Sequence, residues 1–249
     1  MIYFYSKFIK YHMSKYKHLF VDLDDTLFDS SSLYDDAIRM AYERLHTFYG
    51  ELKYKVFYQA FISIRSELKK EFKHQTISHN RAILFEKLLE RLDIPFNAEL
   101  IREMYEAYWF TVNIFIQPFP GVIPTLSKIK NSGIKITAIS DGSLLSRLEK
   151  IESLRISNLI DYLVTSEEVV FTKPEKPIFN LALEKTGAKK EEILLVGDSF
   201  SADITGGEEF GVDTVWFNKK RKRKPNNPKI YPDYRIKKFE ELLKILDIE

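Results

Sequence analysis

The chain has 249 residues, 45% hydrophobic and 30% charged, which suits a soluble globular protein with one sizeable core or a core plus a second lobe. It contains no cysteine, so disulfides, thiolate zinc sites and cysteine nucleophiles are excluded. The formal charge of +2 is local in origin: "KKRKRK" at 219–224 is a block of cations, and the remainder is net acidic.

Residues 1–13, "MIYFYSKFIKYHM", are aromatic and basic but lack the continuous apolar centre and cleavage site of a secretory signal, so they read as an N-terminal appendage. No run of about 18 apolar residues occurs, so no membrane span is expected and a cytoplasmic location is the default. "HLFVDL" (18–23) is a short apolar run ending in aspartates, which predicts a buried parallel strand. After the capping residues "DSSS" (29–32) the pattern becomes helical as far as residue 116. Tyr34, Ile38, Ala41, Tyr42, Leu45 and Tyr49 recur at intervals of three and four, as do Phe57, Ala60, Phe61, Ile64 and Leu68. Ile83, Leu84, Leu88 and Leu92, then Leu100, Met104, Tyr105 and Tyr108, repeat the spacing, so the block reads as four amphipathic helices.

From "QPFPGV" (117–122) the rhythm alternates. Helices are expected at 122–131, 143–152, 175–186 and 200–210, with strands at 134–140, 162–166, 192–198 and 213–218, and a last strand and helix between 233 and 248. That alternation predicts an α/β fold, a Rossmann-like doubly wound parallel sheet with helices on both faces. The core would comprise residues 14–29 and 117–249, and the helical block 30–116 would be an insertion after the first strand.

In such sheets functional groups gather beyond the carboxyl ends of the strands. Here the first strand ends in Asp22 and Asp24, the second in Ser140, Asp141 and Gly142, and the fourth in "GDSFSAD" with Asp198 and Asp203. "TKPEKPIF" adds Lys173 before Pro174, a residue able to open a helix. Carboxylates this crowded repel, more so when desolvated, unless a cation or a reaction offsets the cost.

These segments resemble the four motifs of the haloacid dehalogenase superfamily of phosphotransferases: "DLDDT" (22–26), Ser140, Lys173 in "KPEKPIF" and "GDSFSAD" (197–203). The resemblance runs from about residue 14 to the end, and residues 30–116 look like the helical cap of that superfamily's first cap class. It implies a phosphomonoester hydrolase in which Asp22 attacks phosphorus to form an aspartyl-phosphate and Asp24 protonates the leaving oxygen, then deprotonates water. It further implies Mg²⁺ bound by the Asp22 carboxylate, the Asp24 carbonyl and Asp198, with Asp203 behind them orienting waters or Lys173. Ser140 and the amides of Asp141 and Gly142, at a helix start, would hold phosphate oxygens, and Lys173 would neutralise Asp22 and the phosphate. Asp25, at the variable motif position, receives no catalytic role.

The second aspartate argues against a dehalogenase, where no leaving alkoxide needs a proton. The stretch from 197 to 218 is most similar to pyrimidine 5'-nucleotidases of the superfamily, so the expected substrate is a small phosphorylated metabolite such as a nucleoside 5'-monophosphate. Sugar phosphatase, phosphoglycolate phosphatase and β-phosphoglucomutase-like activities are the alternatives. Of the cap aromatics Tyr34, Phe57, Phe61, Tyr105, Tyr108 and Trp109, any one could stack on a base, though helical spacing favours core packing. His12, His18, His46, His74 and His79 lie outside every motif and read as surface or packing residues. A different class of function, binding of nucleic acid or another acidic partner through 219–224, is disfavoured because such a run is usually a solvated loop. Oligomeric state has no signature here.

Overall fold

Successive residues of β1 (His18–Val21) point to opposite sides of the sheet, and both sides are apolar: Leu19 and Val21 face one core, Phe20 the other. The computed structural model describes residues 14–219 and 229–249. In it β1 pairs on one side with β2 (Lys135–Ser140), itself flanked by β3 (Tyr162–Thr165). On the other side lie β4 (Ile193–Gly197), β5 (Asp213–Phe217) and β6 (Tyr234–Ile236). All neighbours are parallel, in the order β3-β2-β1-β4-β5-β6, the α/β architecture that the alternation predicts.

A parallel sheet covered on both faces requires strands that are apolar throughout, and Ile193 to Val196 are wholly buried. Helices α7 (Lys176–Thr186) and α8 (Thr205–Phe210) cover the Phe20 face through Ile178, Phe179, Ala182 and Phe210. Helices α5 (Val122–Asn131) and α9 (Glu241–Ile245) cover the other through Leu126, Ile129 and Leu242. The strand order changes direction at β1, which opens a crevice beyond its carboxyl end. Val21 lies level with Ala138 and Val196, so Asp22, Ser140 and Asp198 leave three adjacent strands within two residues of the same height.

Four helices stand between β1 and α5, as expected: α1 (Ser30–Phe48), α2 (Tyr54–Glu71), α3 (Arg81–Arg91) and α4 (Ala98–Phe115). Asn80 and Asn97 cap α3 and α4, accepting from the amides of Ile83 at 3.1 Å and Leu100 at 3.0 Å. Asp25 does the equivalent for α1. At φ 60° its carboxylate turns to accept from the Ser30 amide (3.0 Å) and the Ser31 hydroxyl (2.7 Å), a structural use of the variable motif position. Ser30 to Ser32 therefore lie inside the first turn of α1 rather than in a flexible linker. The outgoing and returning segments run together: Phe28 bridges Pro118, and the Phe119 amide donates to the Leu27 carbonyl at 2.8 Å.

Helix α6 (Leu144–Ser153) follows β2. The helix expected at 200–210 begins instead as a π-helical turn, Phe200–Ile204. In that wider turn the Ile204 amide reaches the Ser199 carbonyl (3.3 Å) and the Asp203 carboxylate bends back onto the Ser199 amide (3.0 Å). Pro174 does not open a helix: the Lys173–Pro174 peptide is cis, and α7 starts later with Pro177 in its first turn. Residues 1–13 and 220–224, which carry the appendage and most of the basic run, lie outside the described residues.

Gly197, the last residue of β4, has the Asp203 carboxylate where a side chain would stand. Gly197→Ala is therefore expected to lower unfolding free energy by roughly 1–3 kcal/mol, as overpacking does. Urea denaturation checks it, and an unchanged midpoint would mean that the 198–203 loop yields freely.

Candidate active site

Asp22 stands one residue beyond β1, and its amide still donates to the Val196 carbonyl at 3.0 Å, so the sheet ladder fixes its position. Only 6% of it is exposed. Its Oδ2 accepts from the Thr26 hydroxyl at 3.0 Å and its Oδ1 from Lys173 Nζ at 2.6 Å. Lys173 also donates to Asp203 Oδ1 at 2.6 Å and to the Ile139 carbonyl at 3.2 Å, which uses all three ammonium protons. Its backbone is pinned as well, the amide donating to Asp141 Oδ1 at 2.9 Å. Asp198 is held by Trp216, whose indole nitrogen donates to its carbonyl at 3.0 Å.

Asp22, Asp198 and Asp203 each offer a carboxylate oxygen within 4.8 Å of the other two, and all three are buried. One ammonium cannot compensate them. Burial pushes Asp22 up to about 6, Lys173 pulling the other way and Asp203 adding to the rise. Asp203 is raised in the same direction, again chiefly by burial. Burial would lower Lys173, yet the charges of Asp203 and Asp22 outweigh it and hold the ammonium well above its usual range. An all-oxygen, buried, over-negative cluster fits a hard divalent cation.

Asp24 faces a different set of partners. Its Oδ1 accepts from Lys150 Nζ at 2.6 Å and its Oδ2 from the Tyr34 hydroxyl at 2.5 Å, with Arg147 Nη2 3.7 Å away. Burial works against its charge, but Lys150 and Arg147 hold the carboxyl well below the usual range. Lys150 is wholly inaccessible, and burial together with Arg147 brings it down to about 7 against the pull of Asp24. A strand end, α1 and α6 are thus joined at one carboxylate.

The loop after β2 starts its helix later than expected. The helix starts at Leu144, with Ser143 as its cap, and the Gly142 amide, in the cleft lining, donates to the Ser166 hydroxyl at 2.8 Å. The Ser140 hydroxyl accepts from Arg147 Nε at 2.9 Å and keeps its own proton to donate. Arg147 Nη2 also holds the Asp141 carbonyl. Arg147 and Lys150 are functional candidates that motif reading passes over. A signal existed, because they share the face of α6 that carries Ile151, at spacings of three and four.

These groups line an open cleft of ≈1360 Å³ between the strand ends and the helical block. Phe57, Phe61 and Tyr108 are core residues, whereas Tyr34, Tyr105 and Trp109 reach the cleft. His74 and His79, expected on the surface or in packing, also line it.

The profile of the haloacid dehalogenase-like hydrolases matches residues 16–211. The chain belongs to this family. Its relatives include a glyceraldehyde 3-phosphate phosphatase of Pyrococcus furiosus, 30% identical over 238 residues covering 95% of each chain. A pyrimidine 5'-nucleotidase of Escherichia coli is 29% identical over 238 residues, covering 93% of this chain and 98% of the relative. Among solved structures, the HAD-hydrolase YfnB of Bacillus subtilis, bound to magnesium, aligns with a TM-score of 0.70 at 26% identity over 94% of this chain and 99% of that one. Among the described residues no helix is long and apolar enough to cross a membrane.

Asp22 gives the site a measurable pH dependence. Its folded-state pKa of about 6 lies above the ordinary 3.8, so between those values the folded protein keeps a proton that the unfolded chain has lost. The stability of the metal-free protein relative to Asp22→Asn is accordingly expected to fall as pH rises through that window, by up to about 3 kcal/mol, and to level off above it. Urea denaturation of both proteins at several pH values checks this. A flat difference would mean that Lys173 compensates Asp22 in full.

Proposed function

We propose that the chain is a Mg²⁺-dependent phosphomonoester hydrolase working through an aspartyl-phosphate. The reading rests above all on Lys173, which bonds Asp22 and Asp203 at once while Asp198 stands within reach of both. Asp22, fixed by the ladder, by Thr26 and by Lys173, is oriented to attack. One of its oxygens forms a bond to phosphorus as the ester P–O bond breaks, and the leaving alkoxide takes a proton from Asp24. Water then attacks the aspartyl-phosphate, Asp24 takes the water's proton, and inorganic phosphate leaves with Asp22 restored. Lys173 and the Ser140 hydroxyl meet charge on the phosphoryl oxygens. Asp22, Asp198 and the Asp24 carbonyl would hold Mg²⁺, with Asp203 close enough to join them or to orient its waters. When bound, the cation supplies positive charge beside the transferring group and relieves repulsion among the carboxylates.

Asp24 can act as an acid only after leaving Lys150 and Tyr34. Because Tyr34 belongs to α1, we assign residues 30–116 as a cap over a core of 14–29 and 117–249, and displacement of that cap as the event that removes Tyr34 from Asp24, while the Lys150 bond, made by α6 of the core, has to break separately.

The substrate class is small phosphorylated metabolites. Relatives named as glyceraldehyde 3-phosphate phosphatases favour a short phosphorylated carbon chain. Tyr105 and Trp109, edge to face at 6.3 Å in the cleft wall, keep a nucleoside 5'-monophosphate as the second reading. A phosphomutase would show itself by transfer of phosphate between sugar hydroxyls without release. Lys219, the described residue of the basic run, lies 3.3 Å over the Phe119 ring, which is a packing use of that charge.

With MgCl₂ present, p-nitrophenyl phosphate and glyceraldehyde 3-phosphate should both release phosphate, and Asp22→Ala should abolish release from each. Asp24→Asn should reduce kcat about 10²–10⁴-fold on the alkyl ester, and with p-nitrophenyl phosphate, whose leaving group needs little proton donation, should spare the initial release of p-nitrophenol more than the later turnover that needs water attack. Millimolar MgCl₂ should raise the melting temperature of the wild type more than that of Asp22→Ala. Turnover by Asp22→Ala would remove the nucleophile assignment, and an equal Mg²⁺ shift would remove Asp22 from the metal site.

A further inference from the structure

Across the cleft from the aspartates stands a concentration of charge of the opposite sign that the mechanism above does not use. Arg65 and Lys69 lie one turn apart on α2, Arg81 opens α3, and all three line the same cleft as Asp22 and Asp24. Among the described residues none of the three is in an ion pair within 4.0 Å of a carboxylate. Arg81 is only 8% exposed, and its Nε has no hydrogen-bond partner. Its guanidinium touches the His79 carbonyl through Nη1 at 3.3 Å and lies 5.4 Å from the Tyr108 ring centre; Tyr108, Tyr34 and Asp24 outweigh its burial and keep it charged, with Nε left over.

The neighbours register the same imbalance. Burial and then the charge of Arg81 lower Arg65, and burial followed by Arg65 and Arg81 lowers Lys69 at the rim. His79 is brought down to about 3 by burial and by these cations, so it stays neutral and adds no charge. Arg81 is buried and Arg65 half-buried with no carboxylate in ion-pair contact, which is costly, as crowded carboxylates are, and a bound anion offsets the cost. The transferring phosphoryl group is not that anion in this scheme, since Lys173, Ser140 and the divalent cation meet its charge at the strand ends. The wall on α2 and α3 faces what remains of the substrate.

We propose that the substrate carries a second anionic group, a carboxylate or a further phosphate, remote from the scissile phosphate and bound in the fork of Arg81 with Arg65 and Lys69 beside it. A guanidinium matches either group in bidentate fashion. The inference rests on the phosphomonoesterase reading and sharpens it: neither a pyrimidine nucleoside monophosphate nor glyceraldehyde 3-phosphate has such a group.

Matched pairs test it. Glyceraldehyde 3-phosphate and 3-phosphoglycerate differ by a carboxylate, and fructose 6-phosphate and fructose 1,6-bisphosphate by a phosphate, so the two arms separate the two anions. With MgCl₂, the doubly anionic member of at least one pair should have a kcat/KM higher by about tenfold or more, mainly through KM. In Arg81→Gln and Arg65→Gln that ratio should fall towards one, because the loss is larger on the doubly anionic member. If Arg81→Gln does not fold by thermal melting, Arg65→Gln and Lys69→Gln decide the matter. No preference in either pair, or a preference that survives the substitutions, overturns the inference while leaving the phosphatase reading intact. Absence of phosphate release from every compound, p-nitrophenyl phosphate included, would instead overturn the reading beneath it.

Discussion

Everything at the site depends on one ammonium. Lys173 is buried among Asp22, Asp203 and a main-chain carbonyl, and no proton on its nitrogen is left over. It ties the nucleophile candidate on β1 to the loop after β4 through a residue that belongs to neither. Burial pushes both carboxyls towards the protonated form, and a single positive charge shared between them offsets that only in part. The arrangement positions Asp22 yet leaves the carboxylates short of positive charge, a deficit that a divalent cation would offset.

Opposite signs are therefore segregated across the cleft. The strand ends carry excess negative charge, and α2 and α3 carry excess positive charge, with the Asp24, Lys150 and Tyr34 cluster between them. Such a separation is unfavourable while the cleft holds water alone, and it orients a ligand with a charge pattern to match.

The fold was legible because hydrophobic period and element length agree throughout. Alternation after residue 117 pointed to the parallel sheet, and the residues with chemistry fell at strand ends, where a doubly wound sheet collects them. What escaped the sequence is what depends on side-chain direction. Lys150 sits in the last turn of a helix, where lysine is ordinarily solvated, and only the face it shares with Ser146, Arg147 and Ile151 marks it as buried. Arg81 follows a capping Asn80 in a segment with no motif, so nothing local distinguishes it from a surface arginine. The Gly142 amide is claimed by Ser166, a residue 24 positions away on another loop, which no local pattern encodes. Pro174 and Pro177 both lie near the start of α7, and spacing alone does not say which of them opens it.

The pairing of Leu27 and Phe28 with Pro118 and Phe119 has a consequence for how such a chain can diversify. Because the two crossings are zipped together beside the sheet, the core sees the intervening helices as a closed loop whose ends are already joined. The entropy of closing a loop changes only slowly with its length, so lengthening, shortening or rewriting the helices alters the cost to the sheet very little. Asp22, Asp203 and Lys173 take their bonds from the core, whereas Asp24 reaches into the helices through Tyr34. A lineage can rewrite most of those helices while Asp22, Asp203 and Lys173 keep their partners.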